Sequence, residues 1–188
     1  ALSYSVKKDY VFSSDNLNQI INQNKKIILV TMHRRENLGE PMKSACNAIK
    51  NLALTYKDYN IIFPVHLNPK VQEVAQSILG NLSNVFLINP LDYLDFVNLM
   101  SKSYLILTDS GGVQEEGPHF GIPILVLREV TERPEAVEYG TVKLVGLDEH
   151  TIFTTADNLL SNDEEYMKMA AAINPYGDGL SAKRTIQI

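Results

Sequence analysis

The stretch Asp109-Ser110-Gly111-Gly112-Val113-Gln114-Glu115-Glu116-Gly117 carries residue types and spacing that can hold an anion. It follows the apolar run Tyr104-Leu105-Ile106-Leu107-Thr108 and opens a predicted helix, so it reads as strand, glycine turn and helix start. Two adjacent glycines let a backbone approach a ligand closely, and a helix start offers unpaired amides and the positive end of its dipole to a phosphate. Two readings stand side by side: a diphosphate seat, or a plain strand-to-helix turn.

A second cluster, Thr31-Met32-His33-Arg34-Arg35-Glu36-Asn37-Leu38-Gly39, follows the first apolar run. His33 can exchange a proton near neutral pH, the arginines can hold phosphate with a planar fork, and Glu36 can fix one of them by an ion pair. The other reading is a solvated loop whose ion pairs face water. After the next apolar run, Pro64-Val65-His66-Leu67-Asn68-Pro69 supplies a second histidine, with Asn68 placed to cap a helix. Taken alone His66 reads as structural; the neighbouring His33 gives it a second reading. The segment Arg128-Glu129-Val130-Thr131-Glu132-Arg133-Pro134-Glu135 alternates charge in a way that burial would not tolerate unpaired, so it is expected to face a cleft. There Arg133 can contact a phosphate, and Glu116, one turn past the glycines, can accept hydrogen bonds from a ribose diol.

Such residues need a scaffold that brings separate loops to one edge. The apolar runs Ile27–Val30, Ile61–Val65, Val85–Ile88, Leu105–Leu107, Ile124–Leu127 and Val142–Val145 are short and mostly non-alternating, as in strands buried on both faces. Helical periods lie between them: Met42, Ala45, Ile49, Leu52 and Tyr56; Val71, Val74, Ala75, Ile78 and Leu79; Leu94, Val97, Leu99 and Met100. Alternating strand and helix predict an open, doubly wound α/β fold with a mostly parallel sheet, whose ligands sit beyond the carboxyl ends of the strands. Every candidate above lies at that end. Helical stretches are also expected over Asp15 to Gln23 and over Tyr166–Ala172, the second broken by Asn174-Pro175-Tyr176-Gly177-Asp178-Gly179.

Composition narrows the ligand. A chain of 188 residues with 45% hydrophobic content can bury one core, and its net charge of −5 with no basic stripe excludes a nucleic-acid track. Yet four of its five arginines, Arg34, Arg35, Arg128 and Arg133, follow predicted strands, which points to a local anionic ligand. The lone Cys46 falls on an apolar helix face and reads as core, setting aside disulfide and thiol–metal chemistry. No metal site and no cofactor are expected. Apolar runs are too short to span a membrane and the N-terminus is polar, so a cytoplasmic location is expected. Gly-x-Gly-x-x-Gly and the P-loop pattern are both missing, which weakens NAD binding and ATP hydrolysis.

Taken together, Thr31 to Asn37, Asp109 to Glu116, Thr131-Glu132-Arg133-Pro134-Glu135 and Asn174 to Gly179 resemble, in this order, motifs of the non-hydrolysing UDP-N-acetylglucosamine 2-epimerases. The resemblance covers residues 1–188 but only the C-terminal half of that family, whose members join two Rossmann-like domains in the glycosyltransferase-B arrangement. It therefore implies a C-terminal UDP-binding domain, with residues 1–24 as a lead-in, residues 174–188 as a tail, and the N-terminal domain absent. By the same resemblance Ser110, Gly111 and Gly112 hold the diphosphate, Glu116 the ribose and Arg133 the UDP moiety, with Leu91 and Phe96 beside the uracil. His33 would sit near the diphosphate and the reacting sugar as the catalytic group. Arg34, Glu36 and His66 match residues that contact a second UDP-N-acetylglucosamine, an allosteric effector. Further implications are a homodimer for the full-length enzyme, a role in cell-envelope polysaccharide precursors, and elimination and re-addition of UDP as the route between UDP-N-acetylglucosamine and UDP-N-acetylmannosamine. The family's carboxylates aimed at C2 lie on the other domain, so this chain alone is expected to hold the leaving group without completing the reaction. Two other readings remain open: the donor-nucleotide domain of a UDP-sugar glycosyltransferase, and a non-catalytic nucleotide-sugar sensor.

Overall fold

Each of the six apolar runs becomes a strand: β1 (Lys26–Thr31), β2 (Tyr59–Pro64), β3 (Val85–Ile88), β4 (Leu105–Thr108), β5 (Ile124–Val126) and β6 (Val142–Leu144). The helices are α1 (Leu2–Ser5), α2 (Asp15–Ile21), α3 (Glu40–Thr55), α4 (Pro69–Leu79), α5 (Tyr93–Ser101), α6 (Gly111–Glu116), α7 (Pro134–Glu138), α8 (Glu149–Ser161), α9 (Asp163–Ala170) and α10 (Ser181–Ile186). These come from a computed structural model that describes residues 2–177 and 181–186. All neighbouring strands pair in parallel, in the order β3-β2-β1-β4-β5-β6.

Burial explains why the strand runs do not alternate. In β1, Ile28 and Val30 enter a core with Met42 and Ile49 of α3, Val71 of α4 and Ile152 of α8, whereas Ile27 and Leu29 enter a second core on the opposite face. That second core holds Leu17 of α2, Val97 of α5, Val113 of α6 and Ala136 of α7. Both faces of the sheet are thus covered, and a strand so placed must be apolar throughout. Helix α3 shows the local logic: Gly39, with φ 91°, turns the chain into it, Pro41 sits in its first turn, and Met42, Ala45, Cys46, Ile49 and Leu52 bury one stripe. A leucine buried as fully as Leu52 is worth about 2–5 kcal/mol against alanine.

The stretch before β1 is fastened to α5 by polar groups. Buried Asp95 accepts hydrogen bonds from the Tyr10 hydroxyl (2.9 Å), the Ser13 amide and the Ser13 hydroxyl. Buried Asn98 accepts from Lys7 N (2.9 Å) and donates to Ser5 O (3.0 Å). The helix expected from Asp15 forms as α2, and although most of its residues are polar, Leu17 and Ile20 are buried in the core against the sheet. Helix α8 went unforeseen because its buried residues Ile152, Ala156 and Leu159 are spread among threonines and polar groups. Helix α9 starts earlier than the stretch expected from Tyr166, because Asn162 caps it by accepting from Glu164 N. The break after it is supported by an Asn174 side chain that accepts from Tyr176 N (3.0 Å) and by Gly177 with φ 101°; Asp178 and Gly179 lie outside the described residues. Among the described residues no helix is long and apolar enough to cross a membrane.

Candidate functional site

The strand order reverses direction between β1 and β4. The chain leaves β1 for α3 on one face and leaves β4 for α6 on the other, so a crevice opens beyond their carboxyl ends, where doubly wound sheets take ligands. Thr31 and Thr108, the last residues of these strands, are in register and their hydroxyls lie 2.6 Å apart. The Thr108 hydroxyl also accepts from Ser110 N (3.0 Å), which fixes the start of the glycine turn.

A cavity of about 220 Å³ lies at this crevice, lined among others by His33, His66, Leu91, Phe96, Ser110 and Val113. Five predicted residues, from four separate loops and one helix, are therefore brought together. Gly111 and Gly112 are the first two residues of α6, directly after Ser110. Neither has a positive φ, and a Cβ built on them would meet nothing closer than Glu132 at 3.7 Å or Ser110 at 3.9 Å. The chain itself supplies no packing reason for these glycines. Gly117 differs: a Cβ there would strike Ile124 at 2.5 Å, so that glycine serves the contact of α6 with the sheet.

Asp109, fully buried at the end of β4, organises the loop after β1. Its carboxylate accepts from His33 N (3.0 Å), Arg34 N (2.9 Å), Asn37 Nδ2 (3.0 Å) and His33 Nδ1 (2.9 Å). Burial pushes the Asp109 pKa up, but the hydrogen bonds from His33 and Arg34 outweigh it and hold the carboxyl below its usual value. The same hydrogen bond to Asp109 raises the His33 pKa against the opposing effects of burial and Arg34. The His33 and His66 rings face each other with centroids 6.5 Å apart.

Of the four strand-end arginines, Arg34, Arg128 and Arg133 are paired with carboxylates, whereas Arg35 is exposed. Arg34 and Arg128 both fork onto Glu132, at 3.3–3.4 Å and 3.0 Å, and hold its carboxyl down at a pKa of about 2. Glu36, expected to be the ion-pair partner, is a distant second at 3.8 Å from Arg128 and 4.0 Å from Arg34. It lines a separate hollow with Asn37, Arg128, Glu129, Val130 and Leu147, away from the cavity that holds His66. Arg133 pairs through Nε with Glu115 and donates from Nη1 to Glu132 O (3.0 Å). Glu116, at the end of α6, accepts from the Tyr93 hydroxyl (3.4 Å), and burial raises its pKa. Asn68 caps α4 as expected, accepting from Lys70 N, and its own N–H donates to His66 Nδ1 (3.1 Å).

Over residues 2–188 the chain matches the family model described as UDP-N-acetylglucosamine 2-epimerase. It belongs to the UDP-N-acetylglucosamine 2-epimerase family. The UDP-N-acetylglucosamine 2-epimerase of Campylobacter jejuni is 51% identical over all of this chain, which spans 50% of that relative. Two solved structures superimpose closely. The S. aureus MnaA–UDP co-structure has a TM-score of 0.90 and 46% identity, over 98% of this chain and 50% of that one. The UDP-GlcNAc 2-epimerase from Neisseria meningitidis bound to UDP-GlcNAc has a TM-score of 0.84 and 46% identity, over 93% and 49%. The chain thus spans about half the length of the family members it matches.

Sequence reasoning quoted Asp109, Gln114 and Glu132 inside motifs without giving them a role. Gln114, fully buried, donates to Ser110 O (3.2 Å) and accepts from the Thr131 hydroxyl (2.5 Å), which in turn accepts from Arg133 N (3.0 Å). The glycine turn and the arginine loop are tied by one amide side chain. Asp109 carried a usable signal: a carboxylate ending an apolar strand is buried and must find donors.

Proposed function

We propose that this chain is the UDP-binding half of an enzyme that interconverts UDP-N-acetylglucosamine and UDP-N-acetylmannosamine. The observation that carries the reading is the pair Gly111-Gly112, set beside a cavity at the switch point with no steric or conformational demand from the chain to explain them. Two close relatives, the MnaA and Neisseria enzymes, are described as bound to UDP and to UDP-GlcNAc.

In this reading the diphosphate lies against the amides of Ser110, Gly111 and Gly112, with Arg133 reaching it. The ribose diol meets Glu116, and the uracil lies between Leu91 and Phe96. The reaction removes the C2 proton and breaks the C1–O bond, the electron pair leaving with UDP, to give a glycal with a C1–C2 double bond. UDP oxygen then adds back to C1 as a proton is delivered to the other face of C2. His33 and the amides stabilise the charge that builds on the leaving phosphate.

Base and acid at C2 come from another part of the enzyme, and the isolated chain does not turn over. Supporting this, Asp109 is buried and held ionised by four donors, and Glu132 sits at a pKa of about 2 between two arginines. Neither suits proton transfer near neutral pH. Arg34, Glu36 and His66 form part of an effector site completed elsewhere, since Glu36 and His66 line different hollows.

The test is a calorimetric titration with UDP beside ADP. Selective UDP binding, weakened in Arg133→Ala, is expected; equal binding of both nucleotides, or of neither, would overturn the assignment.

A further inference from the structure

We propose that Asp109 is the positioning residue for His33: it grips the ring through Nδ1–H and presents it as an imidazolium whose Nε2–H serves the leaving phosphate. The proposal rests on the reading above that the cavity takes a UDP-sugar, and it assigns His33 one role within that reading.

Geometry carries the argument. Asp109 has no exposed surface, and it accepts from both the backbone N–H and the ring Nδ1 of His33, so backbone and imidazole are held by one carboxylate. Amides of Arg34 and Asn37 fill the rest of its acceptor sites and keep it from turning. With Nδ1 engaged, Nε2 is the ring nitrogen left to a ligand in the cavity that His33 lines. Three groups face the ring. Asp109, from the end of β4, favours the cation; Arg34, next in the loop, opposes it; and His66, from the loop after β2, lies 6.5 Å away between centroids. The charge of Arg34 is itself met by Glu132, so the carboxylate in direct contact prevails.

An imidazolium cannot strip the C2 proton. It can hold a hydrogen bond to the phosphate oxygen as the C1–O bond breaks and the electron pair moves onto that oxygen, keeping its own proton throughout. The same ion pair serves the re-addition in reverse. His33 is therefore an electrostatic group for the leaving UDP, and the proton taken from C2 goes to a base outside this pair.

Ring-proton NMR of His33 over a pH series tests this in the unmodified chain. Titration above the 6.5 of an ordinary histidine is expected, and titration at or below it would sink the proposal. In Asp109→Asn the His33 midpoint should move down. Because loss of a buried carboxylate can disturb folding, the unmodified chain decides the matter if that variant does not fold. A second readout is UDP affinity, expected to fall as pH rises through the His33 midpoint; His33→Gln, which keeps the ionisation of the nucleotide's own phosphate, should lose that part of the dependence. An affinity that varies with pH identically in both proteins would also overturn the role. If His33 titrates high while UDP fails to bind, the ligand assignment falls and the pairing stands.

Discussion

Replacing Gly112 by alanine should make the protein more stable and a poorer binder. Gly112 is the second residue of α6, its φ is not positive, and the added Cβ would find its nearest neighbour, Ser110 Oγ, at 3.9 Å, an ordinary contact. Where native geometry accepts a Cβ, glycine to alanine stabilises by about 0.4–1 kcal/mol, mainly by restricting the unfolded chain. For a chain of this size that is a rise in Tm of about 1–4 °C. The same methyl would stand between the backbone and a phosphate, and losing one charge-assisted hydrogen bond of about 1.5–3 kcal/mol weakens binding about 10- to 150-fold. Thermal unfolding and UDP calorimetry on the same preparations give both numbers. A drop in Tm would mean the glycine serves the fold, and unchanged UDP affinity would remove the strongest support for a diphosphate at this turn.

Glu116→Gln should follow the same pattern for a different reason. Burial raises the Glu116 pKa, so its stabilising contribution is complete below the unfolded carboxyl pKa and is lost as pH rises through the folded value. At neutral pH the glutamine variant should therefore resist urea better than the parent, with the gap closing in acid, and bind UDP more weakly; a gap that widens in acid would reverse the sign. Gln114→Leu removes both links between Ser110 and Thr131 and leaves the Thr131 hydroxyl without its acceptor, at a cost of about 1–3 kcal/mol. Its UDP affinity should fall towards that of Arg133→Ala, and combining the two substitutions should cost less than their sum, as read by a calorimetric double-mutant cycle. Cys46 is fully buried and its thiol is pushed up to about 12, so alkylation should occur only as fast as the protein unfolds. Rapid labelling under native conditions would show that α3 opens on its own.

The sheet was legible because burial on both faces leaves a continuous apolar run, and runs such as Ile27–Val30 and Leu105–Leu107 carry no competing pattern. Strand order was not, since nothing in a single run says which neighbour it takes; the reversal between β1 and β4 that makes the crevice is a property of the whole chain. Residue types assigned to the ligand in the proposed reading stood out: His33, Ser110 and the glycines are costly or unusual where they occur. Residues that act on other residues did not. Gln114 looks like any helix-surface polar group until the fold buries it, and Glu132 could have paired with any arginine nearby. Helix α8 shows the same limit from the other side, for three buried apolar residues spaced along thirteen suffice once the core on that face of the sheet supplies the partner surface.

These pairings bear on how the site selects its ligand. Arg34 and Arg128 are held by Glu132, Arg133 by Glu115 and His33 by Asp109, so these four basic groups at the crevice already face carboxylates. A phosphate brought to such a rim does not meet bare positive charge; it exchanges with a carboxylate that is attached to the chain and always at high local concentration. Inorganic phosphate has nothing with which to offset that exchange. In the proposed reading a nucleotide has the apolar contacts of Leu91 and Phe96, which line the cavity, and the acceptor Glu116 at the end of α6. Charge neutrality at the rim therefore turns the anion contacts from a source of general affinity into a test that only a ligand anchored elsewhere can pass. It follows that Glu132→Gln, which frees two forks from their shared carboxylate, should raise affinity for inorganic phosphate by a larger factor than affinity for UDP. Equal factors for the two ligands would mean that the rim carboxylates govern strength and not selection.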